Sequence, residues 1–271
     1  MKSIVTVLAM ALATALMAKS AYATPRPLPF TYTTDTLAPG ELEVEQYADL
    51  TPVRGLTSGG TELSYVGTQF QTEFEYGLAE RLELGLYVVY VPTPVGLMSA
   101  PEMTETTGIK ERLRYVFATP GAWPIDVGLY GELVEGDTES EFEGKILLQR
   151  RFGNLRIDSN LWAEYELYYT GSRRDVVLNP TLGVTYQITP AVHVGAEGWL
   201  RVEFPNPAIN PRPWALGPVG YLGPTVMFDF GKLWWSSGVY ARVTEGDSAV
   251  PAPLTEPFGV VWARTVIGLS L

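Results

Sequence analysis

Between residues 73 and 90 the chain reads EFEYGLAERLELGLYVVY, with glutamates and apolar residues taking alternate places. A strand sends successive side chains to opposite faces, whereas a helix would mingle Glu73 and Glu75 with Phe74, Tyr76 and Leu78. The alternation predicts two strands joined at Ala79-Glu80-Arg81, each with one apolar and one charged face. The same two-residue period runs through the rest of the chain. Residues 41–50 set Leu42, Val44, Ala48 and Leu50 against Glu41, Glu43 and Glu45. GIKERLRYVFA sets Ile109, Leu113, Tyr115 and Phe117 against Lys110, Arg112 and Arg114, and LRIDSNLWAEYELY sets Leu155, Ile157, Leu161, Tyr165 and Leu167 against Arg156, Asp158, Asn160, Glu164 and Glu166. Further strands are expected near 64–78, 82–91, 125–134, 142–152, 176–188, 191–203, 219–230, 233–243 and 258–271, which makes about twelve.

The connections carry a second pattern. Five are tight, AER, TPGAWP, GN, TP and GK, and they alternate with long Pro-, Gly- and Ser-rich ones such as PTPVGLMSAPEMTET and FPNPAINPRPWALGP. EGDTESE and TGSRRD are links of middling length. Short turns at one end, longer loops at the other and an even strand count are the pattern of an outer-membrane barrel. The expected fold is therefore an all-β, antiparallel transmembrane β-barrel of about 12 strands with a polar lumen, short periplasmic turns and longer extracellular loops. A soluble sandwich or barrel would put its apolar face inside, but side chains fill a barrel of only about eight strands, and twelve strands around a dry lumen would be hollow. A basic residue facing the bilayer midplane costs about 2–4 kcal/mol, so Lys110, Arg112 and Arg114 are expected to point inward.

Composition agrees and excludes other classes. Lys2 followed by the apolar run 4–17 and the small-x-small triplet Ala21-Tyr22-Ala23 reads as a signal peptide over 1–23, and no later run is long and apolar enough for a membrane helix. Residues 24–40 are expected to be an N-terminal periplasmic segment or partial plug, and 41–271 the barrel. There is no cysteine, which removes disulfides and thiolate chemistry. The formal charge is −11, before loss of Lys2 and Lys19, so nucleic acid is not an expected partner. Tyr76, Tyr90, Tyr115, Trp162, Trp234, Trp235 and Trp262 stand near strand ends, where an interfacial girdle would place them. Ile267, Leu269 and Leu271 alternate to the last residue, as such barrels often end, although Phe is the usual final residue and this chain has Leu.

No enzyme is expected. The single histidine, His193, follows the tight TP turn and is expected at the periplasmic rim, with no serine at a matching place. GGTELSYVG precedes a strand rather than a helix and so lacks the context of a phosphate loop. The acidic runs EGDTESE and EGDS lack the spacing of a calcium loop and read as solvated loop tips. No cofactor and no metal is expected. The informative set is the expected lumen lining: Glu41, Glu43, Glu45, Gln69, Gln71, Glu73 and Glu75 from the first two strands; Lys110, Arg112 and Arg114 from the fourth; Glu143, Lys145, Arg151, Arg156, Asp158, Glu164 and Glu166 from the sixth and seventh. Two readings of it are open: an ion-paired network that closes the interior, or an acidic wall facing a basic patch across a wet channel.

FTYTTDTLAPGELEVEQYADL (30–50), EFEYGLAERLELGLYVVY (73–90), EFEGKILLQRRFGN (141–154) and GPTVMFDFGKLWWSSGV (223–239) resemble a family of uncharacterised Gram-negative outer-membrane β-barrel proteins. More distantly the chain is similar to the transporter barrels named after the meta-pathway of phenol degradation. The resemblance implies fold and outer-membrane location and carries over no functional residue. The function expected is a passive channel or transporter for small solutes, or else a closed barrel acting through its extracellular loops. Outer-membrane lipid, lipopolysaccharide, the barrel-assembly machinery and small solutes are the expected partners.

Overall fold

The computed structural model describes residues 24–56, 62–92, 106–137, 139–169, 174–205, 218–244 and 259–271. The expected signal peptide and most of the long connections lie outside these residues. Among the described residues all regular structure is strand: β1 (Leu42–Leu56), β2 (Glu62–Ala79), β3 (Leu82–Val91), β4 (Thr106–Val116), β5 (Asp126–Gly136), β6 (Glu139–Phe152), β7 (Leu155–Tyr168), β8 (Arg174–Leu178), β9 (Thr181–Thr189), β10 (Val192–Pro205), β11 (Val219–Asp229), β12 (Leu233–Arg242) and β13 (Val261–Ser270).

All neighbours are antiparallel, and the sheet closes on itself through β1–β13 and β10–β11. β8 and β9 both lie between β7 and β10, so they are two halves of a single stave. The stave is interrupted at Asn179-Pro180, where proline has no N–H to give the ladder. The closed barrel thus has 12 staves, and the one strand expected over 176–188 appears as two pieces.

The period of two sorts the side chains as the sequence implies. Phe74, Tyr76, Leu86, Ile109, Leu113, Leu129 and Phe142 are exposed on the outer wall, while Glu73, Glu75, Arg112 and Arg114 are buried inside. Such an outer surface fits the hydrocarbon of a bilayer. Polar residues interrupt it in mid-strand, among them Gln46, held by Thr72 across the β1–β2 ladder, and Glu111.

The expected girdle needs correction. Tyr76, Tyr90, Tyr115 and Trp235 are exposed on the outer wall, but Trp234 is fully buried, and Trp162 and Trp262 face an internal cavity. Trp234 and Trp235 are adjacent on one strand, so only one of them can face out. Most of EGDTESE is strand rather than a loop tip. β5 runs to Gly136 and β6 begins at Glu139, with Glu135 opposite Ser140, so only two residues link the strands and Glu139 and Glu141 belong to the barrel wall.

Candidate functional site

Twelve staves enclose more room than wall side chains can fill, and residues 24–41 take part of it. Only its end, at Gly40 and Glu41, bonds the backbone of a strand, at Gly77 of β2, so the donors before it need other partners. They find them on the wall. Phe30 N and Thr31 N donate to the Glu197 carboxylate (3.0 and 2.5 Å), Tyr32 N to Asn160 Oδ1 (2.8 Å), Thr34 N to Gln149 Oε1 (3.1 Å) and Leu37 N to Glu83 Oε2 (2.9 Å). Leu28, Phe30, Tyr32 and Leu37 are buried. Gly183 makes room for Leu28: a Cβ there would stand 2.4 Å from Leu28 Cδ1. Polar side chains on the wall thus act as capping groups for an irregular chain that lies in the lumen.

The ionisable residues fall into groups joined by contact. Arg112 reaches Glu73 (2.5 Å), Glu75 (2.5 Å) and Glu83 (2.8 Å), and Arg114 reaches Glu83 (2.6 Å). Tyr47 OH donates to Glu73 (2.7 Å) and also bonds Glu45, which Arg26 pairs at 3.3 Å. β4 is two strands from β2, and the guanidinium crosses β3 where Gly85 offers no side chain; a Cβ there would lie 2.5 Å from Arg112 Nε. The acidic row and the basic row are therefore neighbours in direct contact, not opposite walls of a channel. Elsewhere Arg156 bonds Asp158 (2.8 Å) and Asp35 (3.2 Å), and Arg151 bonds Asp35 (2.6 Å).

Above Phe30 and Tyr32, on the side toward the long connections, lies a cavity of about 260 Å³. Lys110, Glu132, Glu141, Glu143, Lys145, Glu164, Glu166 and Arg201 give it charge, Gln69 and Gln71 add neutral amides, and Trp162, Trp199, Tyr221 and Trp262 give it aromatic walls. Its cations are paired: Lys110 with Glu132 (3.0 Å), Lys145 with Glu143 (2.7 Å), Arg201 with Glu164 (3.0 Å) and Glu166 (2.9 Å). Arg264 bonds Asp49 (2.7 Å) and lies 3.7 Å from the Phe30 ring centroid. The Lys145 ammonium lies 3.8 Å from the Trp162 ring centroid and 3.9 Å from that of Tyr130, within cation–π range. Carboxylate oxygens of Glu141, Glu143 and Glu164 come within 4.8 Å of one another, but Lys145 and Arg201 already neutralise two of them.

The sequence-derived residues thus divide. Glu43, Glu45, Glu73, Glu75, Arg112 and Arg114 belong to the buried network beside the N-terminal segment; Gln71, Lys110, Glu143, Lys145 and Glu164 line the cavity; Arg156, itself paired with Asp158, holds Asp35 on the far side. Arg151, also expected in the lumen, is exposed. Glu83, Glu132, Glu197, Arg201 and Arg264 also face inward without being among the expected lining, although strict alternation along their strands marks them. Arg26, Phe30 and Tyr32 lie in a segment without periodicity and gave no such sign.

No protein-family model and no curated protein matches the chain. Among solved structures it is similar to an outer membrane channel from Pseudomonas putida F1, at 11% identity over 91% of this chain and 100% of that one, TM-score 0.64. It is also similar to the KdgM porin (9%, 84% and 99%, TM-score 0.50) and to LpxR from Salmonella typhimurium (7%, 84% and 99%, TM-score 0.50). At such identities the likeness is one of fold, that of outer-membrane barrels.

Proposed function

We propose that the protein is an outer-membrane channel for small polar or charged solutes, narrowed by its own residues 24–41. The observation that carries this reading is the charged, aromatic-walled cavity of about 260 Å³ above a segment whose residues 24–37 are held by side-chain hydrogen bonds, ion pairs and packing rather than by a strand ladder. Residues 24–37 can leave without opening the barrel, because among the described residues no backbone bond to a strand depends on them, whereas Gly40 and Glu41 stay bonded to Gly77 of β2. The cavity's mix of carboxylates, ammonium groups and rings suits solutes with a polar end and a flat apolar body. Similarity of fold to a channel and to a porin supports the reading, as does the resemblance to transporter barrels noted above. On this reading lipid and lipopolysaccharide cover the apolar belt, and the barrel-assembly machinery inserts the exported chain.

Planar-bilayer recording tests it. The intact protein should give small or intermittent conductance, and a chain lacking 25–36 should give larger, steadier steps. Silence from both, in preparations that fold, would end the channel reading. The second reading, a closed barrel acting through its outer loops, is favoured by one observation: Arg112 sits at 1% exposure among three carboxylates, an arrangement that fills space and passes nothing. It expects that silence, and loss of surface interactions on shortening 92–106 or 204–218.

A further inference from the structure

Glu43 is fully buried near the start of β1, beside the end of β13 and the start of β12. Its carboxylate accepts from Trp234 Nε1 (2.6 Å), Ser270 Oγ (2.9 Å) and the backbone nitrogen of Thr24 (3.0 Å). Glu45 and Glu75, whose carboxylate oxygens lie within 4.8 Å of it, each have an arginine, Arg26 at 3.3 Å and Arg112 at 2.5 Å. Among the described residues Glu43 is paired with no arginine or lysine. Glu43, like Glu197, relies on hydrogen-bond donors alone, and a positively charged donor at this place would stabilise its buried carboxylate further.

Thr24 directly follows Ala21-Tyr22-Ala23, the triplet after which an exported chain would be cut. Hydrolysis there adds water across the Ala23–Thr24 peptide bond: the C–N bond breaks, Ala23 departs as a carboxylate, and the Thr24 nitrogen becomes an α-ammonium with three donor protons. We propose that Glu43, with Trp234 and Ser270, is the receptor site for this ammonium, and that cutting supplies the cation that seats the N-terminal segment in the lumen. The inference rests on the export reading but not on conductance.

Register makes the site specific. Thr24 meets Glu43 and Arg26 meets Glu45, both at a separation of 19 residues, so the segment tracks β1 in step. A start one residue earlier or later would move the ammonium by about 3.3 Å, out of hydrogen-bond reach.

The experiment is acylation of the α-amine by an amine-reactive ester at neutral pH, on detergent-purified protein isolated from outer membranes, with the intact mass establishing the first residue. The mature chain should begin at Thr24, and its α-amine should react about tenfold or more slowly in the folded than in the denatured protein. Glu43→Gln should bring the folded rate close to the denatured one. An alanine inserted between Ala23 and Thr24 should do the same, and it serves where Glu43→Gln does not fold. A different first residue, equal rates in folded and denatured wild type, or full protection retained in both variants would overturn the proposal. Recovery of uncut chain from the soluble fraction would overturn the export reading with it, and fractionation tells that failure from the others.

Discussion

Arg112 is buried because three carboxylates surround it and because Gly85 leaves a gap in β3 through which it can reach them. Removing one partner of such a set is costlier than never having built it, since the remaining charges stay buried and uncompensated. Arg112→Ala should therefore lower stability by about 3–5 kcal/mol, read as a fall in the denaturant midpoint of the detergent-folded barrel. Arg112→Lys should recover only part of the loss, because an ammonium is a compact point charge and lacks the planar fork that reaches three carboxylates at once. Gly85→Ala presses a methyl group against two groups locked in ion pairs, Arg112 Nε at 2.5 Å and Glu73 Oε1 at 2.6 Å. Overpacking of this kind costs about 1–3 kcal/mol. If Gly85→Ala unfolds at the wild-type midpoint, the guanidinium does not pass over β3 as described.

At the scale of elements the staves and the lumen segment differ in what holds them. Each stave is fixed by two ladders, whereas residues 24–41 are fixed by acceptors such as Glu197, Asn160 and Glu83 and by packing of Leu28 over Gly183. Gly183→Leu should thus evict the segment while leaving the ladders intact. Limited proteolysis from the turn side should then cut within 24–40 several times faster, with the barrel's heat-modifiable gel mobility unchanged; unchanged cutting would show that Leu28 is not what seats it. The same contrast explains what could be seen in the sequence. Staves advertise themselves by alternation, so β3 and β7 stand where the pattern predicts, and β6 departs from it only at EGDTESE, which reads as a loop although Glu139 and Glu141 keep the strand's alternation. The lumen segment has no period. Its presence inside follows from volume, and its route follows from contacts as distant in sequence as Phe30 with Glu197, which no local pattern encodes.

For the whole molecule the decisive question is which face of the wall meets water. A sheet slipped by one residue would exchange its two faces entirely, so inside and outside are fixed together for every strand once they are fixed for one. β4 supplies the test, because its outward residues Ile109, Glu111 and Leu113 include two apolar groups and one acid in mid-strand. In a bilayer, Leu113→Arg should cost about 2–4 kcal/mol if Leu113 sits near the midplane, whereas Glu111→Leu removes a charge from hydrocarbon and should raise stability by a smaller amount, about 1 kcal/mol. Leu113 is 52% exposed, so in a barrel surrounded by water the same arginine would be nearly neutral and the new leucine at 111 would gain nothing. Unfolding in lipid vesicles, compared for the two variants and wild type, separates these cases by sign. A shift down for Leu113→Arg with a shift up for Glu111→Leu requires lipid against β4. Two shifts within about 0.5 kcal/mol of zero would mean that water bathes that wall, and would remove the membrane from the account of the fold.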